Sequence, residues 1–462
     1  MRRFFLLLFL LLYSSAIRAA ETTDVFPDPS RFPLPEAYKP NVEFWTRVYG
    51  EFHDNQMVIH DARNINIILD VVEVPEDNLL RSAAHLNVKH RLEEIRKVLL
   101  ELQADPTAYN KSADHRKFYD LYKDIHDPNK FRNAAENLRI QQGIRDRFEN
   151  GLVQMTRYLD EIKKVMVDEG VPEEIAYLPL VESSFNNQSV SKTRAAGIWQ
   201  FMSGTARFYM NVNRDVDERL DPYISSRAAA KYLKRSYTMF GNWPVAIMSY
   251  NHGQQGIYKA IQTVGSSEFM DILNNYDGRL FGFASRNFYG EFLAACRVMH
   301  DADKYFGSLN YGKPLLFDSI KLSQSLSTSL LLEHADLTKE ELRTYNPALQ
   351  SNVLFSRRAI PAGYTLRLPQ GRFPNLVDFI AKLRTNEPVH SKPPVEVASN
   401  TIPKTKKATS AAATPATYVV RHGDTLFGIS KKFDLSVAEI RKLNGMNHSH
   451  IFPGQKLVIG RN

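Results

Sequence analysis

The sequence predicts a mainly α-helical protein with small βααβ modules in its C-terminal part. Apolar residues recur every three or four positions through 88–100, 151–167 and 173–181, which is the period of an amphipathic helix. The run 228–233 is rich in residues of high helix propensity. A sequence repeat further along ends, in both copies, in a short strand-like segment. Because 462 residues are too many for one hydrophobic core, we expect several domains.

Residues 1–20 have the pattern of a secretory signal peptide. Arg2 and Arg3 precede an apolar run over 4–13, and small residues ending at Ala20 follow it. A membrane-spanning helix needs about 20 apolar residues, and this run is roughly half as long. We therefore expect cleavage after this segment and export of the mature protein.

Composition places the chain among ordinary globular proteins, with 43% hydrophobic and 24% charged residues. The formal net charge of +8 suits an anionic wall polymer but is equally compatible with a solvated surface, and it does not require nucleic acid. Cys296 is the single cysteine and lies far from the signal segment, so a disulfide within the chain and a lipid-bearing cysteine after the cleavage point are both excluded. We expect no nucleic-acid partner and no covalent lipid anchor.

Four segments follow the signal peptide. Residues 21–142 are aromatic-rich and then strongly helical, which predicts a helical N-terminal region without chemistry of its own. The helical period continues through 143–305, which we interpret as one all-α domain. Residues 385–416 are rich in Pro, Lys, Thr, Ser and Ala and lack the apolar residues of a core, so they are predicted to be a linker. A small autonomous block, 417–461, comes after the linker.

An internal repeat relates this last block to residues 315–369. Residues 434–444 match residues 336–346 at a constant spacing, and each copy is followed by a turn and a strand-like ending. Two unrelated helix starts with Ser or Thr caps could also look alike. The number of matched positions favours a true repeat, and we therefore predict two βααβ modules.

One carboxylate, Glu182, ends an apolar run over 175–181. A carboxyl group in such surroundings loses hydration of its charged form, so its pKa rises and it can deliver a proton as a general acid near neutral pH. A glutamate on a helix is more often solvated or paired, so this local pattern alone does not assign catalysis.

Two further motifs follow, Ala-Ala-Gly-Ile-Trp-Gln-Phe-Met at 195–202 and Ser-Tyr-Asn-His-Gly at 249–253. Each alone is compatible with a turn or a capped helix end. Together with Glu182-Ser183 they resemble the goose-type-lysozyme-like lytic transglycosylases, whose signature is a Glu-Ser pair, a Gly-hydrophobic-hydrophobic-Gln element and an Ala-Tyr-Asn-x-Gly element. The segment before Glu182 is most similar to the membrane-bound lytic transglycosylase D family. Ser249 stands where alanine is usual.

The resemblance implies a lysozyme-like all-α catalytic domain with a single catalytic acid, Glu182. From Ser183 to Arg214 the sequence has no Asp or Glu, whereas ordinary glycosidases place two carboxylates around the scissile bond. By the resemblance, Glu182 protonates the β-1,4 glycosidic oxygen between N-acetylmuramic acid and N-acetylglucosamine. It then takes the proton of the muramoyl C6 hydroxyl, which leaves a 1,6-anhydromuramic acid end.

The resemblance also assigns substrate-binding roles around Glu182. Ser183 would orient the acid or the substrate, and Gln200 would contact sugar substituents near the cleaved bond. Tyr250 and Asn251 would line the opposite wall of the groove, with the Tyr250 hydroxyl near Glu182.

Two aromatic residues, Trp199 and Phe201, could stack on sugar or pack in the core. The sequence has no His-x-x-x-His helix, cysteine-pair cluster or Gly-rich phosphate loop, so we expect no metal and no cofactor.

The block 418–430 resembles a LysM domain, a module that binds N-acetylglucosamine-containing glycans. The resemblance assigns glycan binding to the segment 447–453 and to the turn Gly423, Asp424, Thr425 and Leu426. The earlier copy, 315–369, lacks this turn. We interpret that copy as a degenerate LysM-like module that could serve only to brace the catalytic domain.

The function predicted from these features is a lytic transglycosylase that acts on peptidoglycan glycan strands, located in the periplasm of a Gram-negative bacterium and associated with the wall. One alternative is a hydrolytic muramidase on the same fold, which would need a second acid such as Asp215, Asp217 or Glu218. The other alternative is an inactive wall-binding scaffold. Retention of all the motif residues disfavours the scaffold, since a groove freed from catalysis has no chemical reason to keep them.

Overall fold

The computed structural model describes residues 26–75, 78–385, 415–420, 426–433, 435, 437–446, 451 and 454–461. The chain divides into two compact units, Met1–Pro388 and Val389–Asn462. The predicted signal peptide and most of the predicted linker lie outside the described residues. Within the described ranges, no helix combines the length and the apolar character needed to cross a membrane.

The N-terminal part of the first unit combines helices with a three-stranded antiparallel sheet. Its elements are α1 (Lys39–Gly50), β1 (Gln56–Asp61), β2 (Ile68–Glu73), α2 (Asn78–Ala104), α3 (Ala113–Leu121), α4 (Lys130–Glu136) and β3 (Leu138–Gln142). The strand order is β2-β1-β3. One face of the sheet packs with α2, α3 and α4 around a separate core that includes Ile59, Leu99 and Phe118. The predicted helices are present, and the sheet is an additional finding.

Helix α1 packs in a different hydrophobic core from α2, α3 and α4. Its buried side chains join the large core of the following helical block, where α1 packs along the helix Phe283–His300. Two hydrogen bonds fix this contact: Trp45 Nε1 donates to Asn287 Oδ1 at 3.1 Å, and Tyr38 donates its hydroxyl to the Arg286 carbonyl at 2.7 Å. The N-terminal region therefore helps to build the domain that carries Glu182.

That domain is helical, as the sequence predicts. Its helices are α5 (Arg145–Met155), α6 (Leu159–Asp168), α7 (Leu178–Ser183), α8 (Ser203–Ala206), α9 (Pro222–Phe240), α10 (Trp243–His252), α11 (Gln254–Val264), α12 (Phe269–Asn275), α13 (Phe283–His300) and α14 (Ala302–Phe306). Capping residues start two of the central helices: Asp221 accepts from two amides of α9, and Asn242 accepts from one of α10.

Both predicted βααβ modules are present. The first has β4 (Phe317–Lys321), α15 (Thr328–Ala335), α16 (Lys339–Tyr345), α17 (Ser351–Leu354) and β5 (Thr365–Pro369), followed by α18 (Leu376–Thr385). The second has β6 (Pro415–Val419), α19 (Leu426–Lys432), α20 (Val437–Leu443) and β7 (Lys456–Arg461). In each module the two strands pair antiparallel. The mainly α fold class with small βααβ modules is thus confirmed.

The same asparagine closes both modules. Asn346 donates to the carbonyls of Leu342 and Arg367 and accepts from the Arg367 amide. Asn444, its partner in the repeat, donates to the carbonyls of Ile440 and Val458 and accepts from the Val458 amide. Each asparagine thus ties the end of a helix to the last strand, which explains why the repeat keeps this residue.

The first module is docked on the helical block that carries Glu182. Val216 lies in the module's core and pairs with Leu349 in an isolated antiparallel bridge. Arg367 of β5 forms a buried ion pair with Asp221, the residue that caps α9. The Arg367 guanidinium also lies over the ring of Tyr223, 4.9 Å from its centroid. These contacts fit the bracing role that the sequence suggests for this module.

Candidate active site

Glu182 lies near the end of the short helix α7. Pro179 occupies the first turn of this helix, where its fixed φ is favourable, and Leu178 and Leu180 are buried. The helix ends because Ser184 and Phe185 adopt positive φ values of 49° and 54°. This turn directs the chain away immediately after the acid.

The surroundings of Glu182 favour its protonated form. Burial raises the pKa of the Glu182 carboxyl to about 8, and the negative charge of Glu291 raises it as well. Glu182 still lines an open cavity and is not fully enclosed. At neutral pH the side chain is therefore a protonated carboxylic acid within reach of a ligand, which is the state that a general acid needs.

Glu291 on α13 is a second carboxyl group that the sequence analysis missed. Burial raises its pKa to about 8, and the positive charge of Arg139 opposes this rise. Burial raises the pKa of the Tyr49 hydroxyl, and the negative charges of Glu291 and Glu182 raise it further. A signal was available: Glu291 interrupts an apolar stretch of α13, which is the same pattern that singled out Glu182.

Ser183 and Gln200 are tied to the backbone of the 189–200 segment. Ser183 donates its hydroxyl to the Ile198 carbonyl at 2.9 Å, which joins α7 to this segment. Gln200 donates its amide to the carbonyls of Gly197 at 2.8 Å and Ser189 at 3.3 Å. Ser183 thus ties α7 to this segment, and Gln200 holds the turn in which it lies.

The backbone conformation at residue 197 explains why this motif has a glycine there. The φ of Gly197 is +78°, and a Cβ atom at this position would lie 1.7 Å from the Arg219 carbonyl oxygen. No side chain fits there, so the tight turn before Gln200 requires glycine.

Tyr250 lies close to Glu182, as the resemblance implies. Burial and the charge of Glu182 both raise the pKa of its hydroxyl. The hydroxyl donates to the Trp199 carbonyl at 2.9 Å, which connects α10 to the Gln200 turn. Asn251 is exposed, and its Oδ1 accepts from the Ser285 hydroxyl at 2.9 Å.

The two aromatic residues around Gln200 pack in the core. Trp199 is fully buried and donates its indole N–H to Ser226 Oγ at 2.7 Å, and Phe201 is also buried. Of the two interpretations left open by the sequence, core packing is therefore the one observed.

The three acids proposed for a hydrolytic mechanism are engaged elsewhere. Asp217 pairs with Arg219 at 2.7 Å, and Asp215 pairs with Arg358 of the first module at 2.8 Å. Glu218 accepts two hydrogen bonds from Asn211, one from its amide at 2.6 Å and one from its side chain at 3.1 Å. They stabilise the 211–219 segment and its contact with the module.

A cavity of about 620 Å³ lies next to Glu182. One wall is formed by residues 181–187 with Ser189, and the other by a polar face at α5. Gln200, Tyr250 and Asn251 are not among the residues that line it. The structure thus places Glu182 and Ser183 on the cavity, with Tyr250 near Glu182 and hydrogen-bonded to the residue before Gln200.

Three of the predicted glycan-binding residues, Gly423, Asp424 and Thr425, lie outside the described residues. The fourth, Leu426, is the first residue of α19 and packs in the core of its module.

Two families of known domains match the chain. The Transglycosylase SLT domain matches residues 161–273, and the LysM domain matches residues 418–460. The first range contains Glu182, Gln200 and Tyr250. The resemblance predicted from the sequence motifs is confirmed at the level of both domains.

The chain is also similar to individual known proteins. The chain is 26% identical over 300 residues to the membrane-bound lytic murein transglycosylase D of Escherichia coli strain K12, a match that covers 63% of this chain and 60% of that protein. It is 40% identical over 53 residues to an N-acetylmuramoyl-L-alanine amidase of Staphylococcus epidermidis, which covers 12% of this chain and 16% of the amidase. The solved structure of the 70 kDa soluble lytic transglycosylase of Escherichia coli aligns with 17% identity and a TM-score of 0.29, over 52% of this chain and 40% of that one.

The chain therefore spans 60% of the length of the curated transglycosylase that it matches. Its two matched domains lie in the first and the second compact unit respectively. The chain contains a transglycosylase SLT domain that includes Glu182, followed by a LysM domain.

Proposed function

We propose that this protein is a peptidoglycan lytic transglycosylase that cleaves the β-1,4 bond between N-acetylmuramic acid and N-acetylglucosamine and forms 1,6-anhydromuramic acid ends. The observation that carries the proposal is the position of Glu182, a carboxyl group protonated at neutral pH on the wall of an open cavity. The SLT domain around it supports the same reaction.

The chemistry needs one carboxyl group in two protonation states. Glu182 first donates its proton to the glycosidic oxygen while the bond from C1 to that oxygen breaks. The resulting Glu182 carboxylate then accepts the proton of the C6 hydroxyl as O6 attacks C1, which closes the anhydro ring. The acid is regenerated, so the proton balance closes without a water molecule.

Glu291 does not favour the hydrolytic alternative. A hydrolase needs an ionised carboxylate to activate water or to attack the sugar. Because burial raises the pKa of Glu291 to about 8, this group is mostly uncharged at neutral pH. Asp215, Asp217 and Glu218 are held in pairs and turns that stabilise the fold.

The remaining residues of the site are proposed to act on the substrate as the resemblance implies. Ser183 and Tyr250 both hold the 198–199 segment in place, since each donates to a backbone carbonyl within it. Gln200 is proposed to contact sugar substituents near the cleaved bond. Tyr250 and Asn251 are proposed to line the groove outside the cavity next to Glu182. This set supports an active groove over an inactive scaffold.

The second unit is proposed to bind wall glycan through its LysM domain, with Gly423, Asp424, Thr425 and Leu426 in the binding turn. Residues 1–20 are proposed to direct export to the periplasm of a Gram-negative bacterium. In the absence of a lipid-bearing cysteine after the cleavage point, the protein would be retained at the wall by its ligand.

Mass spectrometry of purified sacculi digested by the protein tests the proposal. We expect products with anhydro ends, which weigh one water less than reducing ends. Reducing ends would identify a hydrolytic muramidase, and unchanged sacculi would identify a scaffold.

A further inference from the structure

The wall of the cavity opposite Glu182 is a polar stripe on and just beyond α5. Its members are Arg147, Asn150, Gln154 and Arg157, spaced three or four residues apart so that they share one side of the helix. Asn150 and Gln154 are exposed amides. The stripe therefore offers polar side chains along this wall, with an arginine at each end.

The two arginines of the stripe differ in their partners. Arg147 pairs with Asp54, with 2.6 Å between Nε and Oδ2, so its charge is already balanced. Arg157 donates to the neutral amide oxygen of Gln154 at 3.3 Å, and no carboxylate of the described residues lies within ion-pair distance of it. Arg157 is thus a half-buried cation on the cavity whose partner is neutral.

The acid and the stripe are held close together by Gly151. A Cβ atom on Gly151 would lie 3.0 Å from the Ser184 carbonyl oxygen, so α5 approaches the segment that follows Glu182 as closely as a backbone allows. A substituent of a sugar bound at Glu182 would therefore reach the stripe directly.

Charge in the cavity selects the ligand. Among the described residues that line it, Glu182 is the one carboxyl group, and it is mostly uncharged at neutral pH. The cavity consequently has a positive balance at the Arg157 end. Such a wall attracts a carboxylate and holds it by charge-assisted hydrogen bonds.

We propose that this stripe binds the acidic peptide carried by the muramoyl residue, with Arg157 holding a peptide carboxylate, and that it gives the groove a preference for peptide-bearing glycan. The inference rests on the proposed function, because it takes the muramoyl sugar to sit at Glu182. Eight residues of helix rise about 12 Å from Arg147 to Met155, the last residue of α5, and Arg157 lies two residues further along the chain. That length matches about four residues of an extended peptide, and the two amides between the arginines are placed to bond its backbone.

The test compares Arg157→Gln with the wild-type protein on three soluble substrates. These are a glycan fragment with its peptides, the same fragment with the peptides removed, and the peptide-bearing fragment with its carboxylates amidated. Arg235→Gln, an exposed arginine on α9, makes the same charge change away from the cavity and is the matched control. Circular dichroism checks that both variants fold.

For Arg157→Gln we expect KM for the peptide-bearing fragment to rise about tenfold, the loss of one hydrogen bond to a charged group. The kcat value and the kinetics on the peptide-free fragment should stay at wild-type values, as should all values of Arg235→Gln. For the wild-type protein, KM for the amidated fragment should be as high as KM of Arg157→Gln for the peptide-bearing fragment. Equal KM changes on all three fragments, or no change on any, would overturn the proposal.

A second measurement needs no variant. Salt screens charge pairs at the surface, so raising the ionic strength should increase the wild-type KM for the peptide-bearing fragment more than for the peptide-free one. Parallel salt dependence of the two KM values would refute a role for charge. If the wild-type protein cleaves none of the fragments, the proposed function fails instead, so the two failures are distinguishable.

Discussion

Glu291 on α13 lies close enough to Glu182 on α7 for its negative charge to raise the pKa of the Glu182 carboxyl. The two helices pack against one another, and burial is the larger cause of the raised pKa at both residues. The site thus holds a carboxylic acid that stays protonated at neutral pH beside a second one, and both can be examined by substitution.

The first prediction is that Glu182→Gln abolishes glycan cleavage and leaves the fold intact, because the amide keeps the shape of the side chain but cannot donate the proton. General acid–base catalysis contributes about 10²–10⁴-fold, and we expect a loss at the upper end or beyond. Initial rates of sacculus digestion measure the effect. Glu333→Gln, an exposed glutamate on α15, is the control. Digestion by Glu182→Gln at a near wild-type rate would show that another group is the acid.

The second prediction concerns the pH dependence of activity. The reaction needs protonated Glu182, so kcat/KM should fall as the pH rises through the pKa of this group, which is about 8. Glu291 has a pKa of about 8 as well, so it ionises over the same pH range, and its negative charge then raises the pKa of Glu182. Glu291→Gln removes this charge. The alkaline limb of the profile should therefore move to lower pH, while kcat/KM at pH 5 changes little.

The measurement is the pH profile of kcat/KM for the wild-type protein, Glu291→Gln and the control Glu333→Gln. A purely structural role for Glu291 would lower the whole profile without moving its alkaline limb. An unmoved limb in Glu291→Gln would therefore refute the electrostatic coupling.

Glu182 was predicted from the sequence and Glu291 was not, and the difference shows what a sequence can predict about this site. Glu182, Gln200 and Tyr250 lie in short motifs, and the helical segment before Glu182 follows from local periodicity. Glu291 meets Glu182 only through the packing of α13 on α7, a contact between segments about a hundred residues apart. Such a contact leaves no periodic or spacing signal in one sequence.

The N-terminal sheet was missed for a related reason. Strand β1 pairs with β3, and the long helix α2 with two shorter ones lies between them in the chain. The strands are also short and partly buried on both faces, so their polar and apolar residues do not alternate clearly. By contrast, the repeat of the βααβ modules was visible because residues 434–444 match residues 336–346 in the sequence, and the matched Asn346 and Asn444 make the same hydrogen bonds in both copies.

The third prediction concerns the docking of the first module. Arg367→Leu leaves the carboxylate of Asp221 buried without its cation, and removing one partner of a buried pair costs about 3–5 kcal/mol. The free energy of unfolding in urea should fall by that amount. The exposed Arg357→Leu, from the same module, is the control. A loss below about 1 kcal/mol, the usual value of a surface pair, would mean that Asp221 finds other partners.

The last prediction concerns the role of the second unit. Deleting residues 386–462, the predicted linker and the LysM domain, should weaken retention on intact peptidoglycan far more than it slows cleavage of short soluble muropeptides. The remaining chain keeps the catalytic core and the docked first module, both of which lie in the first compact unit. A binding domain joined to the groove by a linker should raise the effective concentration of the groove near wall glycan, but it adds no contact at the scissile bond. A small substrate gains little from that higher local concentration.

Co-sedimentation of both forms with purified sacculi, together with turnover of a soluble glycan fragment, measures the two effects separately. Equal co-sedimentation would mean that the first module or the groove itself supplies the affinity, and the binding role proposed for the LysM domain would then be wrong.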